Sequence, residues 1–297
     1  MISILIPIYN YPAYPLVAAL HAQCLKAKID FEILCIDDAS GIFTEENHRI
    51  DGLSFCQMEY LPENTGRSRV RNALAKRAVY DRLLFLDADV FPVSPNFIQM
   101  YIDAMEKDSD VIYGGLAYKA EKPPDDCLLR WNYGRKREAL SVKKRRKKGY
   151  ETLFFSNILL RKHLFSALSF DETVSGYGYE DLVFGMQLKQ IKAGIKHIDN
   201  PVYHLQLDTS EHFLEKTEAS LHNLKLLINR SLLGERVTRL TGMYADIKKL
   251  GLESWFRFFF LRSRTLLRRN LLSNRPSLFL FDLYKLGYFC MIEDREN

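Results

Sequence analysis

The sequence has few of the features that mark secreted, zinc-bound or membrane-spanning proteins. Its five cysteines are scattered, odd in number and without a CxxC pair. This pattern disfavours a disulfide framework or a zinc site and indicates small core residues in a reducing compartment. No uncharged run approaches the roughly 20 apolar residues that cross a bilayer. The apolar stretch 2–8 is too short for a secretory leader and no Lys or Arg precedes it. We therefore expect a cytoplasmic protein.

Positive charge is concentrated in one short segment. Residues 135–148 hold nine Lys/Arg and one Glu, a net charge of +8, whereas the whole chain carries +5 and the remainder therefore −3. A nucleic-acid partner is not expected, because such proteins spread basic residues over a wide surface. Three interpretations of the segment stay open: a basic lid over a diphosphate, a contact with anionic lipid, and a solvated surface loop.

The first two hundred residues alternate strand-like and helix-like patterns. Short apolar runs predict strands at 2–8, 31–36, 58–61, 82–86 and 111–113. Helical spacing falls between them at 15–27, 66–80 and 96–106. This order predicts an α/β fold with a mostly parallel central sheet flanked by helices. Ligands of such sheets bind beyond the carboxyl ends of the strands.

After about residue 210 the patterns are helical only. We expect a first domain over 1–210 and a C-terminal helical extension over 211–297, with helices at 212–230, 234–250, 252–272 and 277–292. The helix at 252–272 is amphipathic, with Trp and Phe on one face and arginines beside it. It suits either peripheral contact with the inner face of a membrane or packing against its own domain or a partner chain.

Carboxylates follow two of the predicted strands. Asp87 and Asp89 come directly after the strand at 82–86, where two such groups can share Mg²⁺ or Mn²⁺ with phosphate oxygens. Asp37 and Asp38 come after the strand at 31–36 and can accept hydrogen bonds from a base or ribose. The alternative for each pair is a solvated turn.

Two further elements carry possible chemistry. Gly66 opens a helix that carries Arg67, Arg69 and Arg71, whose N–H groups suit a diphosphate. Residues 175–181 read Ser-Gly-Tyr-Gly-Tyr-Glu-Asp, which indicates a loop that wraps a ligand and then starts a helix. Its glycines imply that the backbone turns sharply there or approaches another group closely. Helix capping and a solvated basic face are the alternatives.

These elements occur in an order that resembles a known family. ISILIPIYN at 2–10, IDDAS at 36–40, ENTGRSRVRN at 63–72, LFLDAD at 84–89, GYGYED at 176–181 and the later His204 resemble the family 2 glycosyltransferases, which have the GT-A fold. The loop at 176–181 also resembles the GWGGED element of galactosyl- and chondroitin-type transferases. Tyr177 stands where that element has Trp, and Tyr179 stands where it has its last Gly. Ser156-Asn157 resembles a family site beside the donor sugar.

The resemblance implies an inverting hexosyl transfer from a nucleotide-diphosphate sugar, by default a UDP-sugar, to a glycan or lipid-linked saccharide. Asp181 would be the general base and Glu180 would bind the acceptor. Asp89 and His204 would ligate Mn²⁺ or Mg²⁺, and Asp87 would contact ribose or metal. The nucleotide would be held by Pro7, Tyr9, Asp37 or Asp38, Asn64 and Arg71.

Two other classes of protein fit the sequence less well. A nucleotidyltransferase that forms sugar nucleotides would carry a Gly-rich loop after the first strand, whereas this strand ends in Pro7-Ile8-Tyr9-Asn10. A non-catalytic module that binds a membrane or nucleic acid through its basic segment would leave the acidic pairs unexplained.

Overall fold

The computed structural model describes residues 1–105, 109–174 and 176–292. The chain forms two compact units. The first comprises Met1–Tyr118, Glu138–Ser175 and Glu180–Gln206, and the second Lys119–Arg137, Gly176–Tyr179 and Leu207–Asn297. The second unit thus includes two segments that precede residue 210, which the sequence had placed in the first domain.

Strands occur only in the first unit among the residues that are described. They are β1 (Ile2–Ile8), β2 (Phe31–Asp37), β3 (Cys56–Tyr60), β4 (Arg82–Leu86), β5 (Val90–Pro92), β6 (Val111–Tyr113), β7 (Leu116–Ala117), β8 (Asn157–Arg161), β9 (Ile195–His197) and β10 (Val202–His204). The α-helices of the chain are α1 (Tyr14–Ala27), α2 (Thr44–His48), α3 (Arg67–Arg77), α4 (Phe97–Ala104), α5 (Leu128–Tyr133), α6 (Val142–Lys148), α7 (Lys162–Leu168), α8 (Glu180–Gln190), α9 (Ser210–Asn229), α10 (Arg239–Lys249), α11 (Glu253–Leu271) and α12 (Leu278–Met291). Short 3₁₀ turns span Arg49–Gly52, Asp125–Cys127 and Gly149–Thr152, and a π-helical turn spans Gly134–Glu138.

A seven-stranded sheet in the order β3-β2-β1-β4-β8-β6-β9 forms the centre of the first unit. All neighbours pair in parallel except β8, which is antiparallel to β4 and to β6. A second, three-stranded sheet has the order β5-β10-β7. The predicted α/β class with a large, mostly parallel sheet is confirmed, and so is a helical C-terminal part.

Helices cover both faces of the large sheet. Alternate residues of β1 point to opposite faces and therefore belong to two different core clusters. Ile4 and Ile6 belong to the core cluster that includes residues of α1 and α4. Leu5 belongs to a second cluster, which includes residues of α3 and α8. Burial on both faces explains why β1 is continuously apolar instead of alternating.

The predicted elements differ from the observed ones mainly at their ends. The helix predicted at 66–80 stops at Arg77, because Ala78 turns to an extended conformation. The helix predicted at 96–106 is α4, and its last predicted residue, Glu106, lies outside the described residues. The strands β5, β7 and β9 have only two or three residues, too few to show a periodic pattern.

The basic segment is partly structural. Arg145 on α6 is buried, and its guanidinium donates hydrogen bonds to the carbonyl oxygens of Tyr113, Gly114 and Ile198 at 2.9, 3.0 and 2.8 Å. It therefore holds together two turns of the first unit. Its neighbours Lys143, Lys144 and Lys147–Lys148 are exposed.

The second unit is helical in the residues that are described. A cluster of buried side chains from α5, α9, α11 and α12 forms its core, with Leu214, Phe260 and Phe281 among them. In the part of the chain that the structure describes, no helix is both long and apolar enough to cross a bilayer.

Candidate active site

The predicted site residues converge because the carboxyl ends of neighbouring parallel strands meet at one edge of the sheet. In the register of β1 and β2, Ile8 lies beside Asp37. β4 ends at the same edge and is followed by Asp87 and Asp89. β8 runs the other way, so its first residue, Asn157, lies beside Leu86 at the end of β4.

Arg71 on α3 joins two carboxylates that are far apart in the sequence. Its Nη2 lies 2.8 Å from Asp87 Oδ1 and its Nη1 lies 2.9 Å from Asp181 Oδ1. The guanidinium is 1% exposed, and its carbon lies 5.4 Å from the ring centres of both Phe155 and Phe170. The family resemblance implies that Arg71 holds the nucleotide. In the structure both of its terminal nitrogens bridge the end of β4 and the start of α8.

The bridge and the burial set the protonation of the two acids in different ways. Burial alone would raise the pKa of Asp87, but the Arg71 and Arg67 guanidinium groups outweigh it and the pKa is lowered. Burial dominates at Asp181 and, despite Arg71, raises its pKa to about 6, with Glu180 and Asp87 adding to the rise. Asp181 Oδ2 also accepts a hydrogen bond from the Phe155 amide at 3.1 Å.

Glu180 lies next to this bridge. Its Oε1 is 2.9 Å from Nη1 of Arg67, and its Oε2 is buried with no partner among the described residues. An unpaired buried carboxylate oxygen costs free energy unless a ligand supplies a donor. Glu180 therefore has one oxygen suited to a hydroxyl group.

The structure separates the roles of the two acids after β2. Both oxygens of Asp38 are used inside the protein: Oδ1 accepts from the Thr65 amide at 2.6 Å and Oδ2 from the Gly66 amide at 2.9 Å. Asp37 Oδ1 accepts from the Ser40 amide at 2.6 Å, but its Oδ2 is buried with no partner among the described residues. Asp37 is thus the acid of the pair with one oxygen that no described residue contacts.

The Asp38 contacts also occupy the start of α3. The Gly66 amide, which the sequence offered to a diphosphate, already donates to a carboxylate. Asn64, also predicted to hold the nucleotide, donates from Nδ2 to the Asp38 carbonyl at 3.1 Å. Pro7 lies near the end of β1, and the Tyr9 side chain just beyond it is 55% exposed. Tyr9 therefore has a free aromatic face at this edge.

Asp89 and His204 come together through the small sheet. β10 pairs with β5 so that His204 lies beside Val90, and His204 Nε2 is 3.7 Å from Asp89 Oδ2. The Tyr118 ring stacks on the imidazole at 5.6 Å. Burial raises the pKa of Asp89, His204 opposes the rise, and Asp87 adds to it.

These residues fit a divalent metal only in part. Within residues 1–105, 109–174 and 176–292, no three His, Cys, Asp or Glu side chains stand together as a preformed metal site. Mg²⁺ commonly takes one or two protein carboxylates and completes its shell with substrate phosphates and water. Asp89 supplies one such carboxylate and His204 an imidazole nitrogen, which suits a transition metal better than Mg²⁺, whereas Asp87 already pairs with Arg71.

The Gly-Tyr-Gly-Tyr loop packs closely on α9 within the second unit. The Asn223 side chain donates hydrogen bonds to the carbonyl oxygens of Gly176 and Gly178 at 3.3 and 2.5 Å. A Cβ on Gly176 would overlap Asn223, and Gly178 has a φ of +85°. The close approach expected from the glycines is therefore made to a helix. Ser175 lies outside the described residues.

Several supporting residues had no signal in the sequence. Phe155 and Phe170 enclose the Arg71 guanidinium, and Tyr118 covers His204. Asn157, which resembled a site beside the donor sugar, is fully buried; its Nδ2 donates to the carbonyl oxygens of Gly115 and Asn200 at 2.8 and 2.9 Å. Single aromatic or amide residues carry no pattern that could have revealed these contacts.

Comparison with known proteins identifies the class of this protein. Residues 3–168 match the model of the glycosyl transferase family 2. The match spans more than half of the chain, and the chain belongs to this family. No curated protein sequence matches it.

Solved structures share the fold at low sequence identity. Residues 1–349 of TarS from S. aureus are 19% identical, with 97% of this chain and 89% of that chain covered and a TM-score of 0.51. The same TarS fragment solved with UDP is 17% identical, with a TM-score of 0.50 and the same shares covered. The mannosyltransferase PcManGT from Pyrobaculum calidifontis, solved with GDP-Man and Mn²⁺, is 11% identical, with 76% of this chain and 64% of that chain covered and a TM-score of 0.54. The chain spans 54% of a longer TarS structure.

Proposed function

We propose that the protein transfers a sugar from a nucleotide-diphosphate sugar to a hydroxyl of a glycan or glycolipid, with inversion at the anomeric carbon and with a divalent metal. Family membership supports glycosyl transfer. UDP is the expected nucleotide, and similar folds have been solved with UDP and with GDP-Man and Mn²⁺.

The observation that carries the proposal is the position of Asp181. Its carboxylate is held by Arg71, and the same guanidinium holds Asp87 at the end of β4. Each Asp181 oxygen accepts one hydrogen bond, from Arg71 or from the Phe155 amide, and keeps a second lone pair for a proton. With a pKa of about 6, Asp181 is ionised at neutral pH yet basic enough to take that proton. In the proposed step the acceptor oxygen bonds to the anomeric carbon, the bond from that carbon to the diphosphate oxygen breaks, and the acceptor proton passes to Asp181.

The donor side is proposed to use Asp37 and Tyr9. The unpartnered Asp37 Oδ2 would accept a hydrogen bond from the base or ribose, because its burial leaves it without solvent. The exposed Tyr9 ring would stack on the base. Asp38 and Asn64 would act indirectly by fixing the loop that leads into α3.

Asp89 and His204 would hold the metal, and a bound metal would neutralise charge on the leaving diphosphate. Glu180 would bind the acceptor through its unpartnered Oε2. The two acids of α8 thus divide the work: one takes the proton and the other orients the hydroxyl.

A thermal-shift panel of UDP-, GDP- and dTDP-sugars, each with Mn²⁺ and with excess EDTA, tests donor class and metal use together. A ligand at about 100 times its Kd stabilises the folded state by roughly 2.7 kcal/mol. We expect one nucleotide to raise the unfolding temperature with Mn²⁺ and much less with EDTA. Equal shifts in both conditions would refute the metal role.

Product stereochemistry tests the transfer itself. An α-linked donor should give a β-linked product, observed by NMR of the purified glycoside. A product that retains the anomeric configuration would overturn the single-step mechanism and leave the family assignment intact.

A further inference from the structure

Helix α11 packs with only one of its sides. Phe260 and Leu271 are buried, and the Phe260 ring lies 5.4 Å from the Tyr284 ring of α12. Gly287 of α12 faces Phe260 so closely that an added Cβ would overlap the ring. This inner side of α11 is part of the core of the second unit.

The opposite side of α11 remains apolar and exposed. Its exposed side chains, 54–69% accessible, are Trp255, Phe258, Phe259, Leu261 and Leu266. We call these residues, with Arg262 and Arg269, the α11 outer face. The Trp255 and Phe259 rings stack in parallel at 5.7 Å. Soluble proteins rarely expose so many large apolar side chains together, and such patches usually mark an interaction site.

The charges of α11 divide in the same way. On the inner side, Arg264 and Arg268 pair with Glu218 at 3.5 and 3.6 Å, and Arg268 also pairs with Glu211. On the outer face Arg262 and Arg269 are exposed, and neither forms an ion pair with any residue that the structure describes. The Arg262 guanidinium lies 5.3 Å from the centre of the Phe258 ring on the same face. The inner arginines are neutralised by Glu211 and Glu218, whereas no acidic residue that the structure describes neutralises the outer ones.

This combination identifies one kind of occupant. We infer that the α11 outer face docks on a membrane surface that contains anionic lipid. Aromatic rings and leucines would enter the boundary between headgroups and acyl chains, and the arginines would pair with lipid phosphates. A second copy is a poor occupant, because two such faces would bring unpaired arginines together without an acid. The helix would lie on the membrane and not cross it, in keeping with its five arginines.

The test uses the full chain and vesicles of phosphatidylcholine, alone or with roughly 30% phosphatidylglycerol. We expect co-sedimentation with the anionic vesicles only, weakened by salt because surface charges are screened within about 8 Å at physiological ionic strength. Of the two tryptophans in the chain, Trp255 is on the outer face. A blue shift of tryptophan fluorescence should accompany binding and be lost in Trp255→Phe.

Two double variants separate the charges from the apolar groups. Arg262→Ser with Arg269→Ser should lower vesicle affinity roughly 25-fold, about fivefold per arginine. Trp255→Ser with Phe259→Ser should also release the protein although every charge is kept. Arg230→Ser with Arg239→Ser removes two exposed charges outside α11 and is the matched control, with unchanged binding expected.

Unchanged unfolding temperatures would show that the variants remain folded, since the replaced side chains are exposed. Failure to bind anionic vesicles would overturn the inference. So would a stable dimer that Trp255→Ser with Phe259→Ser dissociates, which would assign the face to a second copy. Binding to single-stranded oligonucleotides without binding to vesicles would overturn it as well. None of these outcomes bears on the proposed transfer reaction.

Discussion

Replacing Asp181 by Asn should strongly lower turnover and at the same time change how stability depends on pH. The substitution keeps the shape of the side chain and removes its charge. If Asp181 is the base, kcat should fall about 10²–10⁴-fold, the usual contribution of a positioned base. Donor Kd should barely change, because Asp181 contacts Arg71 and the Phe155 amide and is not assigned to the nucleotide.

The size of the stability effect follows from the raised pKa. Burial raises the pKa of Asp181 from 3.8 to about 6, so the folded protein holds this proton more tightly than the unfolded chain does. Stability is therefore lost as the pH rises from about 4 through about 6, by roughly 3 kcal/mol in all. Asn does not titrate, so the variant should gain about that much relative to the wild type over this range. The variant also loses some stability at every pH. The NH₂ group of Asn must face either the Arg71 guanidinium or the Phe155 amide, and both of these are donors.

The assay is thermal unfolding of both proteins from about pH 4 to about pH 8, together with initial rates. Between these pH values, the unfolding temperature of Asp181→Asn should rise relative to that of the wild type by roughly 6–12 °C. Each kcal/mol of stability shifts the unfolding temperature by about 2–4 °C in a domain of this size. The wild-type kcat should rise with pH through about 6. A near-normal kcat in the variant, or a stability difference that does not change with pH, would refute the assignment.

Three other substitutions test the remaining roles. Arg71→Met should destabilise the protein by about 3 kcal/mol at neutral pH in denaturant unfolding, and less at low pH, because two partly buried carboxylates lose their partner only while they are ionised. A loss that is the same at all pH values would contradict this. Asp37→Asn should weaken donor binding about tenfold or more by calorimetry with little change in stability, whereas Asp38→Asn should mainly lower stability, and the reverse pattern would exchange their roles. Asp89→Ala should remove the Mn²⁺ dependence of donor binding, and a persisting dependence would exclude Asp89 as a ligand.

Much of the fold could be predicted because the relevant signals are local. β1 and β4 are short apolar runs that end at polar residues, and their bounds were predicted as they are observed. The carboxyl-edge position of Asp37 and Asp87 followed from the parallel order of the strands. The direction of β8 could not be predicted in this way, because nothing in Asn157–Arg161 shows that the strand runs antiparallel between β4 and β6.

The connections between distant residues could not be predicted from one sequence. Arg71 and Asp181 are 110 positions apart, and only the folded structure brings them to 2.9 Å. The choice between Asp37 and Asp38 depended in the same way on which carboxylate the Thr65 amide reaches. The amphipathic pattern of α11 was visible, but periodicity does not say which half of a broad apolar face is packed.

The bridge made by Arg71 has an evolutionary consequence. A change at Asp87 or Asp181 alone leaves the Arg71 guanidinium with one partner instead of two. A change at Arg71 alone leaves both acids without their basic partner. The three positions should therefore be epistatic: in homologous sequences they should be retained together or replaced together. A lineage that altered Asp181 would have to change Arg71 as well, which restricts the routes by which this scaffold can acquire a different chemistry.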